Sequence, residues 1–218
     1  MAEPAGSTDS SKALARARTR EQRDLRSPIA HADNDRAIAL NSRFILDFLA
    51  PRSRVACYLS APTEPGTISL VAELLDRGFE VIAPRVSGRL LDWAVVEPSS
   101  RYETGALGIR EVIGTSVGVG AGPIQVASAI FLPALAIDSQ TGVRLGQGGG
   151  YYDSVLGADS KVDGSGPVRA AITYADEIWA GVPHDEHDCS VAVIITETGL
   201  VEIPGSGTRR FHSSFNTD

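Results

Sequence analysis

The sequence predicts an α/β fold with a parallel β-sheet, and three observations support this class. Short apolar segments typical of buried strands recur along the 218 residues, with helical segments between several of them. One stretch, residues 55–83, has the strand–helix–strand order that joins two parallel strands. The chain is 43% hydrophobic, enough to fill a core, and its length suits one large domain.

The first half of the chain supplies the helices and strands that define this class. Residues 12–25 are rich in Ala, Leu and Arg and predict a basic helix, which Pro28 interrupts. Residues 33–49 predict a second helix with one apolar face. Three further elements are predicted: a strand at 55–59, a helix at 67–77 ending at Gly78, and a strand at 81–83 ending at Pro84.

The second half contains more short apolar segments than helical ones. Residues 105–122 are spaced by glycine without clear periodicity, and we predict a loop there. The other predicted elements are strands at 91–96, 129–132, 168–174 and 191–196, a helix at 151–156, a surface loop at 160–166 and an edge strand at 200–203. Residues 1–11 and 204–218 are polar and predicted to be disordered tails, which leaves a single domain over 12–203.

Composition narrows the possible partners. A net charge of -7 argues against general nucleic-acid binding, which favours a basic surface. Cys57 and Cys189 are too few for a disulfide framework, and Cys57 lies in an apolar segment, as a small core residue would. No apolar run reaches the roughly 18 residues of a membrane span, and the polar first residues do not resemble a signal peptide. We therefore expect a cytoplasmic protein with no nucleic-acid or membrane partner, and we predict a monomer.

The most informative segment is Arg144-Leu-Gly-Gln-Gly-Gly-Gly-Tyr-Tyr-Asp153. Glycines placed before a helix allow backbone N–H groups to surround a phosphate. The segment is not a P-loop, because no Lys-Ser or Lys-Thr follows the glycines, and its spacing departs from the dinucleotide-binding pattern. The alternative is a glycine-rich turn with no ligand.

Carboxylates near this segment suggest a metal. Asp153 falls in the first turn of the predicted helix, where it either caps the helix or holds Mg²⁺ beside a phosphate. A second carboxylate is available in the segment Val182-Pro-His-Asp-Glu-His-Asp188. Its two histidines have a spacing compatible with zinc, but no third ligand is obvious, and a solvated polar loop is the other alternative.

Two further groups of residues are candidates for ligand contacts. Lys12 and Arg16 share a helical face and are solvated cations unless that helix folds over the glycine segment, where they would neutralise phosphate charge. Glu64 follows the strand at 55–59, at the strand end where ligands bind in α/β sheets. Thr67 suits a helix N-cap, and Trp93 and Tyr102 suit either packing or stacking on a ring.

Taken together, these segments resemble the 5-formyltetrahydrofolate cyclo-ligase family, also called methenyltetrahydrofolate synthetase. The resemblance covers residues 12–203. It rests on five segments in order: Lys12-x-x-x-Arg16; Tyr58-Leu-Ser…Glu64-x-x-Thr67; Gly108-Ile-Arg-Glu111; Leu132-Pro-Ala-Leu-Ala-Ile-Asp138 continuing to Arg144…Asp153; and Val182-Pro-His-x-x-His-Asp188.

The resemblance implies a three-layer α/β/α sandwich with a mostly parallel sheet, NagB/RpiA/CoA-transferase-like. It implies ATP- and Mg²⁺-dependent cyclisation of 5-formyltetrahydrofolate to 5,10-methenyltetrahydrofolate. ADP and phosphate would be released through an iminophosphate that the substrate's N10 attacks. No catalytic side chain is then needed, because the substrate supplies both nucleophiles and the protein supplies position and charge.

The resemblance also implies a role for each site residue. ATP would contact Lys12, Arg16, Arg144, Leu145, Gly146, Gln147, Gly148, Gly149, Gly150, Tyr151 and Tyr152. The folate would contact Ala61, Glu64 and the loop from Gln147 to Tyr151, and Mg²⁺ would lie on Asp153 and Asp188. Since neighbouring helical residues point about 100° apart, we expect only one of Tyr151 and Tyr152 to face the ligand.

Two other functions compete with this interpretation. A sugar-phosphate isomerase or CoA-transferase relative would use the same sheet without ATP, but an isomerase needs a positioned general base. A nucleotide- or folate-binding module without turnover is the non-catalytic alternative. The joint presence of Lys12, Arg16, Glu64, Asp153 and Asp188 favours the enzyme.

Overall fold

A computed structural model describes residues 5–105, 108–157, 166–186, 188–204 and 206. Its helices are α1 (Ala5–Asp24), α2 (Pro28–Leu46), α3 (Ile68–Asp76), α4 (Gly122–Gln125) and α5 (Tyr151–Leu156), with a 3₁₀ turn at Ala175–Glu177. Its strands are β1 (Arg54–Cys57), β2 (Glu80–Ser87), β3 (Leu90–Val96), β4 (Arg101–Thr104), β5 (Arg110–Ile113), β6 (Ser116–Val119), β7 (Ala129–Pro133), β8 (Ala136–Asp138), β9 (Arg144–Leu145), β10 (Val168–Ile172), β11 (Ile178–Trp179), β12 (Val193–Thr196) and β13 (Gly199–Glu202).

The described residues build one large sheet in the order β13-β12-β10-β7-β1-β2-β3-β6. The five central strands, from β12 to β2, are parallel, whereas β13, β3 and β6 pair antiparallel at the two ends. Two small sheets, β11-β8-β9 and β4-β5, extend from it. The prediction of a mostly parallel sheet is confirmed.

Successive side chains of the central strands point to opposite faces of the sheet, so the interior consists of two cores. In β7, Ala129 and Phe131 contribute to one core, and Ile130 and Leu132 contribute to the other. Helices α2 and α3 cover the first face and α4 and α5 the second, through buried Ile38, Leu70, Ile124, Leu156 and their neighbours. Strands buried on both faces read as continuous apolar runs, and the arrangement confirms the three-layer prediction.

The structure differs most from the predictions near glycine and proline, which were predicted to form a loop or to end a strand. Residues 105–122 are not a simple loop, because they contain β5 and β6. Strand β2 does not end at Pro84: its pairing with β1 ends at Ile82, and pairing with β3 continues to Ser87. Beyond Ile82 a proline costs no ladder hydrogen bond to β1, so the strand tolerates it.

The helix starts were also predicted too late. Helix α1 begins at Ala5, so residues 5–11 are helical and not a disordered tail; extending an existing helix costs less than nucleating one. Helix α2 begins at Pro28, whose missing N–H is not needed at the first helical position, and Ser27 caps it through a hydrogen bond from Ala30 N. Of the predicted C-terminal tail only 204 and 206 are described, and of the 160–166 loop only 166.

Within the described ranges, no helix has the length and apolar character needed to cross a membrane.

Candidate active site

A cavity of about 620 Å³ opens at the carboxyl ends of the parallel strands. Leu59 follows β1, Arg85 lies near the end of β2 and Ala134 follows β7, and all three line it. This end of an open α/β sheet is the usual place for ligands, and the volume is typical of small-molecule sites.

The glycine segment forms one wall of the cavity between β9 and α5. Gly148 and Gly150 have φ angles of +104° and +66°, a region that residues with a Cβ rarely adopt. Both Tyr151 and Tyr152 line the cavity, and that only one of them faces the ligand stays a prediction. The two tyrosines are the first two residues of the six-residue helix α5, directly after its N-cap Gly150, and both reach the opening.

Leu145 does not belong to this wall. Its side chain is 2% exposed and packs in a small core with Ala136 and Val182. The preceding Arg144 does line the cavity, and its guanidinium lies 5.4 Å from the Tyr152 ring centroid.

Helix α1 folds over the glycine segment, the condition under which its cations become site residues. Arg16 Nε donates to the Gly146 carbonyl at 2.9 Å, and Arg20 Nη2 donates to the Gln147 carbonyl at 3.0 Å. Arg20 was not among the predicted site residues, although its position four residues after Arg16 places it on the same helical face.

Lys12, the first cation of α1, is buried between two carboxylates. Its Nζ lies 2.5 Å from Asp185 Oδ2 and 2.5 Å from Asp188 Oδ2. Burial lowers the pKa of Lys12, but the hydrogen bonds and negative charges of the two aspartates outweigh this effect and raise its pKa above 10.5. Lys12 is therefore charged at neutral pH, at the edge of the cavity.

The two predicted metal ligands both line this cavity. Asp153 Oδ1 accepts from Arg144 Nη2 at 2.7 Å and from Cys189 N at 3.3 Å, and Asp188 Oδ2 accepts from Lys12 and from Asp185 N. Within the described residues, Asp153 Oδ2 and Asp188 Oδ1 accept no hydrogen bond, so each carboxylate retains one oxygen for a ligand. Among the described residues, no group of three or more His, Cys, Asp or Glu side chains could hold a metal ion by itself.

The zinc alternative gains no support from this geometry. His184 Nδ1 donates to the Val182 carbonyl at 2.8 Å, and His187 lies outside the described residues.

Glu64 connects the end of β1 to the glycine segment. Its carboxylate accepts from Gln147 Nε2 at 3.1 Å and from Ala61 N at 3.0 Å, and its side chain is nearly buried. Glu64 lines the cavity, but Ala61 lines only a second, neighbouring cavity and its N–H is already used by Glu64. Of these two predicted folate contacts, Glu64 therefore borders both cavities and Ala61 borders the second.

Comparison with known proteins decides the family. The sequence model described as "5-formyltetrahydrofolate cyclo-ligase family" matches residues 9–197. The chain belongs to this family.

Individual relatives agree with this assignment to the cyclo-ligase family. A protein named 5-formyltetrahydrofolate cyclo-ligase from Mycolicibacterium smegmatis is 30% identical over 68% of this chain and 76% of its own length. One of the same name from Mus musculus is 27% identical over 66% and 73%. The solved 5,10-methenyltetrahydrofolate synthetase of Aquifex aeolicus superposes with a TM-score of 0.71 at 25% identity, covering 88% of this chain and 93% of that one.

Of three other candidates, Trp93 has the predicted packing role, Thr67 has the predicted position without the capping hydrogen bond, and Tyr102 lines the second cavity. Thr67 occupies the N-cap of α3, but its hydroxyl donates to the Tyr58 carbonyl at 2.8 Å and does not cap the helix. Trp93 is 1% exposed and packs edge-on against Tyr152, so it has the packing role. Tyr102 lines the second cavity, beneath Arg110.

The β4–β5 hairpin contributes cavity residues for which no role was predicted. Arg110 and Glu111 line the cleft, and Glu111 Oε1 accepts from Val86 N at 2.9 Å. Both lie in the segment Gly108-Ile-Arg-Glu111, which is part of the family resemblance. The position of this segment in the cleft could be seen only in the folded protein.

Proposed function

We propose that this protein catalyses the ATP- and Mg²⁺-dependent cyclisation of 5-formyltetrahydrofolate to 5,10-methenyltetrahydrofolate, with release of ADP and phosphate. The observation that carries the proposal is the docking of the α1 cations on the glycine segment, beside two carboxylates that each keep one open oxygen. Family membership supplies the substrate.

The triphosphate fits the side of the cleft formed by α1 and the glycine segment. Lys12, Arg16 and Arg144 line this side, and Arg16 makes no ion pair with a carboxylate among the described residues. Helix α5 has only six residues, so its N-terminus offers little charge. The side-chain cations must therefore supply most of the neutralisation.

The Mg²⁺ would be held by Asp153 and Asp188 together with phosphate oxygens, the small number of protein carboxylates that this ion usually takes. When bound it would neutralise charge that develops on the transferred phosphoryl group. The chain's own part is to hold the carboxylates in place, which the contacts from Arg144 and Lys12 do.

The reaction depends more on the positions of the two bound substrates than on reactive side chains. The formyl oxygen attacks the γ-phosphorus and ADP leaves. The substrate's N10 then attacks the carbon of the resulting iminophosphate and loses its proton, and phosphate leaves with the electrons of the C–O bond as the ring closes. Glu64 is suited to accept from N–H groups of the pterin, because it borders the cleft and is fixed by Ala61 N and Gln147. Orientation of two bound reactants is itself a large rate factor.

The test is turnover with two charge-removing variants. Wild-type protein should convert 5-formyltetrahydrofolate to a product absorbing near-ultraviolet light only when ATP and Mg²⁺ are both present. Asp153→Asn and Asp188→Asn keep an acceptor for Arg144 and Lys12 but remove the metal-binding charge, and each should lower kcat/KM by roughly 100-fold. Asp176→Asn is the matched control, since Asp176 pairs with Arg26 away from the cleft.

Absence of product from folded wild-type protein would refute the activity and leave a binding module as the better description. Normal turnover by both variants would refute the metal site alone.

A further inference from the structure

Two of the cations in the cleft have no carboxylate partner among the residues that the structure describes. Four arginines line the main cavity: Arg16, Arg85, Arg110 and Arg144. Arg85 pairs with Asp92 and Arg144 with Asp153, whereas neither Arg16 nor Arg110 forms an ion pair within the described residues. Arg16 lies against the glycine segment, and the proposed triphosphate site uses it. Arg110, on the β4–β5 hairpin, has no assigned role.

Arg110 is held in a way that leaves its donors available. Its guanidinium carbon lies 3.8 Å from the centroid of the Tyr102 ring. The two residues are diagonal neighbours on the hairpin, since Thr104 pairs with Arg110 and Tyr102 with Val112. Stacking occupies the flat face of the guanidinium, so the N–H groups at its edge can form the paired hydrogen bonds that a carboxylate accepts.

The hairpin that carries Arg110 is fixed to the body of the protein. Val112 is fully buried in the core beneath α2 and α3, and Glu111 accepts from Val86 N at 2.9 Å. Gly105 N also donates to the Ile109 carbonyl at 2.8 Å, which joins the hairpin ends of β4 and β5. A cation placed in advance loses little freedom on binding.

Arg110 lies where the cleft continues into a second cavity of about 770 Å³. Glu64 and Arg110 line both cavities, so they mark the boundary between them. The main cavity has the volume of a site for one drug-sized ligand, yet the proposed reaction requires two such molecules to be bound at the same time. With the nucleotide placed against the glycine segment, the folate is placed on the Glu64 side of the cleft, which also carries Arg110.

We propose that Arg110 binds a carboxylate of the glutamyl tail of the folate substrate and so contributes to substrate specificity. The inference rests on the proposed function and adds a residue to it. The pterin contacts Glu64, and the opposite end of a folate carries its carboxylates, the group that an unpaired, stacked arginine recognises. The nucleotide's phosphates are placed instead against α1 and the glycine segment.

The charges in the wall of the second cavity determine which groups can bind beyond the contact with Arg110. Besides Glu64, its wall carries the carboxylates of Asp35 and Glu103, with His31 as its other basic residue besides Arg110. Further glutamates on the tail would meet negative charge there. The site therefore recognises the first glutamate and gains little from additional ones.

The test removes the arginine from the protein, the glutamate from the substrate, or both. Wild type and Arg110→Gln are assayed with 5-formyltetrahydrofolate and with 5-formyltetrahydropteroate, which lacks the glutamate. With the full substrate, Arg110→Gln should raise KM roughly tenfold or more, with kcat unchanged. With the truncated substrate the two proteins should have the same KM. The diglutamyl substrate should have a KM close to that of the monoglutamyl one.

Arg101→Gln is the matched control, because Arg101 is an exposed arginine on the same hairpin that lines neither cavity. Equal unfolding midpoints of both variants would establish that the hairpin is intact. The proposal is overturned if Arg110→Gln raises KM equally for both substrates, raises the KM of ATP instead, or changes nothing. If wild type forms no product, the proposed function fails, and calorimetric Kd values for the same four pairs still test the Arg110 contact.

Discussion

At the scale of single residues, the same ion pairs stabilise the fold and hold the site. Lys12 and Arg144 are each 3% exposed, and each is paired with a carboxylate at the edge of the cleft. A charge this deeply buried is tolerated only with its partner in place. A metal on Asp153 and Asp188 must therefore share these carboxylates with Lys12 and Arg144, and it has the open oxygen of each to do so.

A half-buried histidine in the wall of the second cavity should make the stability of the protein depend on pH. His31 Nδ1 lies 2.8 Å from the Tyr174 hydroxyl, and Arg26 stacks on the same Tyr174 ring at 3.9 Å. Burial, followed by the charges of Arg26 and Arg23, lowers the pKa of His31 below 6.5. The unfolded chain therefore takes up this proton first as pH falls.

The free energy of unfolding should consequently decrease as pH falls below 6.5 and level off below the lowered pKa of folded His31. His31→Gln removes the titration and keeps a hydrogen-bonding side chain. Urea unfolding at about pH 7.5 and about pH 5.0 should show a smaller loss of stability for this variant than for wild type. An equal loss in both proteins would show that His31 does not contribute.

At the scale of secondary structure, α1 is attached mainly through charged side chains. Lys12, Arg16, Arg20 and Arg23 follow one another at spacings of three and four residues and each contacts the body of the protein. Their periodicity is visible in the sequence, which is why a basic helix with Lys12 and Arg16 on one face was predicted. The partners lie on distant loops, so the docking itself was not predictable.

The deepest of these contacts is the pair between Arg23 and Glu177, each about 1% exposed. Arg23 Nε and Nη2 donate to the two carboxylate oxygens at 2.7 Å, and Nη2 also donates to the Ala134 carbonyl at 2.6 Å. Burial opposes the charge, but the hydrogen bonds and charge of Glu177 outweigh this effect and raise the pKa of Arg23. Ala134 lines the cleft, so the pair ties α1 to the site.

Arg23→Met should lower the free energy of unfolding by about 3–5 kcal/mol, because it leaves Glu177 buried without its countercharge. Adding Glu177→Met should recover much of that loss, because no unpaired charge then remains. Urea unfolding of the two variants measures both effects, and Arg18→Met, an exposed arginine of the same helix, serves as the unchanged control. If Arg23→Met lowers the free energy of unfolding by less than about 1 kcal/mol, the pair contributes little to stability.

The strands show which sequence signals were sufficient. Central strands such as β7 and β12 were predicted because burial on both faces makes them apolar throughout. The β4–β5 hairpin was missed because only Val112 and Glu111 among the residues of β5 are buried, and the glycines around it suggested a loop. That hairpin carries Arg110, so the missed element is also the source of the unassigned cation.

At the scale of the whole molecule, the site is assembled from segments far apart in the chain. Lys12 and Asp188 are separated by 176 positions, and Glu64 and Gln147 by 83. The residue types and their order were predictable from the resemblance, whereas the contacts between them depend on the path of the sheet. The same path explains why Leu145, although adjacent in sequence to residues of the cleft, packs in a small core, and why Ala61 lines the second cavity. Monomeric state and cytoplasmic location stay predictions.

Nucleotide binding should couple α1 to the rest of the protein. An isolated helix with few apolar contacts is marginally stable, so α1 should open more easily than the sheet. A nucleotide held between α1 and the glycine segment stabilises the docked state by RT ln(1 + [L]/Kd), about 2.7 kcal/mol at 100 Kd. Native-state hydrogen exchange should then show α1 amides slowing up to about 100-fold with ADP and Mg²⁺.

Two comparisons make this measurement decisive. Arg16→Met removes the contact to the Gly146 carbonyl and should reduce the slowing of α1 at equal nucleotide concentration, whereas Arg110→Gln should preserve it, since Arg110 lies on the folate side of the cleft. If α1 exchange is unchanged while calorimetry shows ADP bound, the nucleotide does not lie between α1 and the glycine segment. The assignment of Lys12 and Arg16 to the triphosphate would then be wrong, even if the cyclisation activity were present.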